Sequence, residues 1–212
     1  MAAEEDRDDF PISGYGRRRL LDAGLRLFDE RGLDGVSARA ISQAAGHRNV
    51  AAVSYHFGSI EELIRAVIER QSQMIDARRH AILDELEAAG HVPPRAALNA
   101  IIGPLVAELD HLDGRRYLRI VNQVANHPVY HAYTSLAFAP SLVRAGAHVA
   151  PLLAHVPQAR RQHRVANSMG YGLFALAEQA RLIDAEQPPR ERLSPEELTE
   201  ELVDTLQALL QA

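Results

Sequence analysis

Ala44-Ala45-Gly46-His47-Arg48-Asn49-Val50-Ala51-Ala52-Val53-Ser54-Tyr55-His56-Phe57-Gly58-Ser59 reads as the end of one helix, a glycine turn, a short helix and the capped start of another. Ala44, Val53 and Phe57 suit an inward face. Arg48, Asn49, Ser54, Tyr55 and His56 carry groups of the kinds that contact bases and phosphates. Small Val50, Ala51 and Ala52 permit close approach to a groove and contact with thymine methyls. The stretch has the pattern of the reading end of a helix-turn-helix. Tyr55 and His56 keep a second reading, as caps on the core of the same module.

Upstream, the spacing predicts a helix over 17–31, with Leu20, Leu21, Gly24, Leu25, Leu27 and Phe28 as its apolar stripe and Gly32 as its stop. Ser37 is placed to cap a second short helix containing Ile41 and ending at Gly46, and a third is expected over 49–57. Arg17, Arg18 and Arg19 begin the first helix, where the dipole favours acids by about 0.3–1 kcal/mol each. Phosphate contact would account for them; a solvated charge run tethered to an acidic leader is the alternative. Arg39 stands opposite Ile41 near the start of the second helix, and Gln43 follows one turn later.

The chain has 212 residues, enough for a substantial core without covalent staples, and no cysteine, which excludes thiol catalysis, cysteine-based zinc sites and disulfides. Its 23 basic residues are all arginine, which suits phosphate and guanine but equally fits a GC-rich coding bias. The formal net charge is -5, yet between residues 13 and 70 nine arginines face seven acids. A polyanion responds to the local field, so the acidic total does not exclude a nucleic-acid partner. Residues 1–12 read as an acidic disordered leader without the basic start and apolar run of an export signal. The longest apolar runs are too short to cross a bilayer. A soluble, cytoplasmic protein is expected, with no membrane partner.

The rest of the chain reads as helix, and the fold class as all-α. Ser59-Ile60-Glu61-Glu62 is a capping box, with Ser59 accepting from residue 62 and Glu62 reaching back. It opens a long helix reaching Gly90, a candidate lever between modules. Pro93-Pro94 opens another helix, and one beginning near Arg115 must break around His127-Pro128. Breaks at Pro140, Pro151 and Pro157 predict short helices over 129–157. Two amphipathic helices, over 158–185 and 195–211, flank a Pro188-Pro189 linker, and Ser194-Pro195-Glu196-Glu197 is a second capping box.

The block from Arg17 to Leu63 resembles the TetR family of bacterial transcription regulators. The resemblance rests on Leu20-Leu21-Asp22-Ala23-Gly24-Leu25-Arg26-Leu27-Phe28-Asp29-Glu30-Arg31-Gly32, on Ser37-Ala38-Arg39-Ala40-Ile41 with Ala45-Gly46, and on Tyr55-His56-Phe57-Gly58-Ser59 with Glu61, Glu62 and Leu63. Two departures stand out: one residue more than the commonest family spacing between Gly46 and Phe57, and Ile60 where the family often has lysine. The resemblance implies a homodimer that inserts two recognition helices into successive major grooves of a near-palindromic operator, with a larger domain whose small-molecule effector lowers DNA affinity. Repression is the usual sign. Domains are then expected at 13–59 for a three-helix DNA-binding module and 60–212 for effector binding and dimerisation.

With that resemblance, the DNA-contacting set comprises Arg17, Arg18, Arg19, Ser37, Arg39, Gln43, Arg48, Asn49, Val50, Ala51, Ser54, Tyr55, His56 and Ser59. The family's dimer bundle is supplied here by Val165, Met169, Gly170, Leu173 and Leu176 with Leu202, Leu206 and Leu209; a monomeric core could use the same stripe. A pocket for a mostly apolar effector is expected from Tyr117, Val121, Asn122, Val124, Ala125, His127, Tyr130, His131, Tyr133, Phe138 and Phe174. His127 and His131 have metal-ligand spacing, but Pro128 intervenes and no acidic cluster assists, so neither metal nor cofactor is expected. No serine, histidine and acid share a nucleophile elbow, so no enzyme is expected. A helix-bundle enzyme and a constitutive architectural DNA binder stand as alternatives.

Overall fold

The computed structural model describes residues 14–47, 49–134, 139–185 and 193–212. Leader residues 1–12, Arg48, Phe138 and the Pro188-Pro189 linker lie outside the described residues. Among the described residues every regular element is helical: α1 (Gly14–Arg31), α2 (Ala38–Ala44), α3 (Ala52–Phe57), α4 (Ile60–Ala88), α5 (Pro94–Val106), α6 (Leu112–Ala125), α7 (Pro140–Val149), α8 (Gln158–Asp184) and α9 (Pro195–Gln211). Short 3-10 turns occupy Ala107–Asp110, His131–Thr134 and Ala150–Leu153. The chain divides between Glu69 and Arg70 into two compact units.

In the first unit, Leu20, Leu27 and Phe28 of α1 meet Ile41 of α2, Val53 of α3 and Leu63 and Ile64 of α4 as a fully buried core. Each such side chain contributes about 1.5–3 kcal/mol on burial. Gly24 lets α1 lie close to α4, because a Cβ there would already touch Leu63 and Val67. Ala45, not Ala44, supplies the inward alanine of the turn; Ala44 is exposed. Gly46 (φ 72°) and Gly58 (φ 86°) take the left-handed backbone that ends α2 and α3.

In the second unit α6 packs on α8, α5 on α7 and α9, and α8 on α9. Leu83, Ala100 and Ala145 form a buried knot among α4, α5 and α7, with Leu86 and Ile101 against it. Pro94 begins α5 at its first turn, where a missing N–H costs nothing. The capping box at α9 is complete: Ser194 Oγ accepts from Glu197 N at 3.2 Å, and Glu197 accepts from Ser194 N at 2.7 Å. At α4 only half of the expected box forms. Glu62 N donates to Ser59 Oγ at 3.2 Å, while the Glu62 carboxylate lies 3.6 Å from Arg65. Glu61 instead bonds the Ser59 side chain, and that bond, with one to its own backbone, holds its carboxyl below the usual range.

Candidate nucleic-acid interface and interior polar site

The turn before α3 is built by local hydrogen bonds. Ser42, fully buried, places its hydroxyl 2.9 Å from the Ala38 carbonyl and 3.2 Å from that of Val50, so one proton ties α2 to the turn. His47 N donates to the Ser42 carbonyl at 2.9 Å. Asn49 accepts from Ala51 N through its side chain at 2.8 Å. That turn competes with helix formation, and α3 accordingly starts at Ala52, three residues beyond the expected start. Asn49, Val50 and Ala51 therefore lead into the helix as turn residues.

Ser37 caps α2, accepting from Ala40 N at 3.2 Å. Arg39 and Gln43 on α2, Val50 and Ala51 in the turn, and Ser54 and Tyr55 on α3 are all exposed, Tyr55 by 64%. Asn49, His56 and Ser59 are half-buried. Arg17, Arg18 and Arg19 are exposed at the start of α1. Arg17 lies over the Phe57 ring, and Arg19 lies 5.8 Å from the centroid of Tyr15. A Cβ at Gly46 would run into the Arg19 guanidinium, so this glycine also makes room for the arginine.

Two residues outside the sequence-derived set belong to this surface. Tyr15 is exposed beside Arg19. His47 Nε2 lies 3.4 Å from the Gly16 carbonyl, an acceptor that calls for a proton on Nε2. The His47 and His56 rings are 6.1 Å apart, and Gly16 is the residue small enough to pass them. Partial burial first, then His47 and Arg17, lowers His56 below its ordinary value and favours the neutral ring at neutral pH.

In the second unit Tyr117, Val121 and Val124 are buried along one face of α6, with Asn122 and Ala125 half-buried beside them. His127 follows the Asn126 cap of this helix and organises the next turn: its Nδ1 accepts from Val129 N at 3.1 Å and Tyr130 N at 3.3 Å. His127 stacks on Tyr130 with centroids 4.3 Å apart, and Tyr130 on Tyr133 at 5.8 Å. His131 is exposed, with Nδ1 3.3 Å from the His127 carbonyl. Among the described residues no group of three or more metal-ligating side chains converges.

Helix α4 carries a polar set that the sequence-derived pocket omits. Arg79, 5% exposed, donates from Nε and Nη2 to the Ile101 carbonyl at 3.1 and 3.0 Å. Burial pulls its guanidinium down to about 10, against the opposing influence of Tyr117 and Asp76, so it stays charged at neutral pH. Glu108, 1% exposed, accepts from Arg78 Nη1 at 2.8 Å and from Gln71. The Tyr117 hydroxyl is 3.0 Å from Ser72 Oγ, and burial raises it, keeping it protonated. Asp76 accepts from Ser141 N at 2.9 Å and from the Ser141 hydroxyl.

The apolar residues assigned to a bundle divide. Leu176, Leu202 and Leu206 are buried within the chain itself and Leu173 is half-buried, whereas Val165, Met169, Gly170 and Leu209 are exposed. Phe174, placed by the sequence in the pocket, is 53% exposed on α8. With Tyr171 and Leu182, also exposed, it forms one stripe of that helix. Among the described residues no helix is long and apolar enough to cross a membrane.

A family model described as bacterial regulatory proteins, tetR family, matches residues 20–67. One described as tetracyclin repressor-like, C-terminal domain, matches residues 99–208. A TetR-family transcriptional regulator from Rhodococcus sp. is 15% identical with a TM-score of 0.52, covering 93% of this chain and 100% of its own. One from Streptomyces coelicolor is 21% identical with a TM-score of 0.54, covering 93% and 81%. The ketosteroid transcriptional regulator KstR2 of Mycobacterium tuberculosis is 15% identical with a TM-score of 0.51, covering 94% and 96%. At these identities the likeness is one of fold. No curated protein matches the chain.

Proposed function

Because the chain belongs to the tetR family of bacterial regulatory proteins, we propose that it is a ligand-responsive repressor that binds a near-palindromic operator as a homodimer and is released by a small, mostly apolar effector. Members of that family are DNA-binding transcription factors, not enzymes. The observation that carries the finer reading is the exposed ridge of the first unit, where Arg39, Gln43, Ser54 and Tyr55 face solvent on a module whose other side is core.

In this reading residues 13–59 are the reading module and 60–212 the effector and dimer region, with 1–12 an acidic leader. Arg39, Gln43, Asn49, Val50, Ala51 and Ser54 approach base edges and groove walls. Arg17, Arg18, Arg19, Tyr55, His56 and the Ser37 and Ser59 positions hold phosphates. Arg48 belongs to the same set from outside the described residues. The buried face of Tyr117, Val121 and Val124, flanked by Asn122 and Ala125, receives the effector, with His127, Tyr130, His131 and Tyr133 at its end. The exposed apolar groups Val165, Met169, Tyr171, Phe174, Leu182 and Leu209, with Gly170, meet a second copy. Such a protein works in the cytoplasm, where its DNA is.

Selection of bound sequences from random duplex DNA tests the proposal. An enriched near-palindrome occupied by two copies is expected. Binding without enrichment would turn the reading toward a constitutive architectural protein.

A further inference from the structure

Ser42 is fully buried in α2, one residue before the exposed Gln43. Its carbonyl accepts from His47 N at 2.9 Å, and its hydroxyl lies 3.2 Å from the Val50 carbonyl, eight residues on. The hydroxyl also lies 2.9 Å from the Ala38 carbonyl, one turn back. One proton serves two acceptors, and they need it unequally. Ala38 belongs to α2, where the helix ladder reaches its carbonyl. The Val50 carbonyl lies outside any helix, and among the described residues Ser42 is its one hydrogen-bond donor.

The turn that this bond closes is irregular. Gly46 takes φ 72°, Asn49 accepts from Ala51 N through its side chain at 2.8 Å, and α3 starts only at Ala52. No helix ladder therefore fixes the exposed Val50 and Ala51 against the exposed Gln43 of α2. Local bonds do so instead. Asn49 ties Ala51 to the entry of α3, and Ser42 ties Val50 to α2. Removing the Ser42 hydroxyl leaves the Val50 carbonyl to water and lets the turn shift along α2.

We infer that Ser42 is a positioning residue for operator reading: it touches no DNA, and it holds Val50 and Ala51 in register with Gln43, so that turn and helix read neighbouring base pairs in one groove. This rests on the proposal that the exposed ridge of the first unit reads an operator, and it adds a buried residue to what decides which operator is read. Direct base contacts need their side chains placed to within about 0.5 Å. Phosphate contacts carry no sequence information. Loss of the hydroxyl therefore costs sequence preference and spares general affinity.

The test compares the full chain with Ser42→Ala and Ser168→Ala, by selection from random duplex DNA and by titration of the selected and a scrambled duplex, well below the unfolding midpoint of each protein. Ser168 is the control: it is buried in α8 and makes the same four-residue back-bond, to the Arg164 carbonyl at 2.9 Å, with no second acceptor among the described residues. Ser42→Ala is expected to weaken binding of the selected duplex about three- to tenfold, the effect of one neutral hydrogen bond. Affinity for the scrambled duplex and its salt slope stay as in wild type, and preference relaxes at about one or two adjacent positions of each half-site. Ser168→Ala changes neither affinity nor preference. A residue that only stabilised the module would lower the unfolding midpoint and leave the base profile of the folded protein as it was. The inference is overturned if the Ser42→Ala profile matches wild type, if selected and scrambled duplexes weaken by one factor, if Ser168→Ala moves the profile equally, or if Ser42→Ala does not fold. A wild-type selection without an enriched site ends the repressor reading itself; an enriched site that Ser42→Ala leaves unmoved ends this inference alone.

Discussion

Arg17 lays its guanidinium over the ring of Phe57, with Cζ 4.7 Å from the centroid. The contact joins the first turn of α1 to the last residue of α3 and gives a cation at the wrong end of the helix dipole a packing partner. At an exposed site such a contact contributes about 0.5–1 kcal/mol. Arg17→Lys keeps the charge and loses the planar stack, so it lowers the urea midpoint while retaining most operator affinity. Arg17→Ala loses both, and its salt dependence of binding falls by about one unit of slope. An unchanged slope in Arg17→Ala would remove this residue from the phosphate contacts.

Glu87 holds α7 to α4: it accepts from Arg144 Nε at 2.9 Å and Nη2 at 2.7 Å, with His148 Nε2 2.9 Å away. The Arg144 hydrogen bonds first, and His148 next, bring its carboxyl from 4.5 down to about 2. A lowered carboxyl stabilises the fold fully above its unfolded value, and that contribution is lost as pH falls toward the folded one. The difference in urea midpoint between wild type and Glu87→Gln is therefore expected to hold above about pH 5 and to shrink from there toward about pH 2. A difference that stays constant across that range would show that the carboxylate charge has no part in the tie.

Gly114 is buried at the start of α6, where a Cβ would strike the Glu108 carbonyl and crowd its carboxylate. Backbone cannot step aside as a long side chain can. Gly114→Ala is expected to destabilise by about 1–3 kcal/mol in urea unfolding, despite alanine's better helix propensity. A stabilised variant would mean that the turn before α6 relaxes freely.

Helix identity was legible wherever periodicity and caps agreed, as at α9, where proline at the first position and a reciprocal Ser194 and Glu197 pair mark the start. The start of α3 was not, because Asn49 holds the Ala51 amide in a turn that apolar spacing does not register. The interior polar site was missed for a related reason. Arg79 breaks the Ile75 to Leu83 stripe at the i+4 position, and an arginine there reads as surface unless the flanking positions are weighed as one face. Seam and core could not be separated from sequence either, since Leu176, buried inside the chain, and Phe174, exposed, are equally apolar.

That separation makes the dimer testable. Phe174, Tyr171 and Leu182 share one exposed stripe of α8, so a charge there meets water in a monomer and apolar surface in a dimer. Phe174→Glu is expected to fold with a midpoint near wild type and to sediment as a monomer. Operator affinity falls with it, because two half-sites are no longer held together. A dimer of normal stability in Phe174→Glu would move the interface off this stripe.

Arg39 and Tyr55 are both exposed, but their chemistry differs. Arginine presents a fork that matches a guanine edge, and each good bidentate pair discriminates by about 1–3 kcal/mol. A tyrosine hydroxyl at the rim of a groove meets phosphate, which is the same for every sequence. Arg39→Ala is therefore expected to weaken binding to the selected operator and to relax preference at one position of each half-site. Tyr55→Ala should lower affinity for selected and scrambled duplexes by a similar factor. Repeating the random-DNA selection with each variant separates the two: an Arg39→Ala profile identical to wild type, or a Tyr55→Ala profile with one relaxed position, would reverse the assignment.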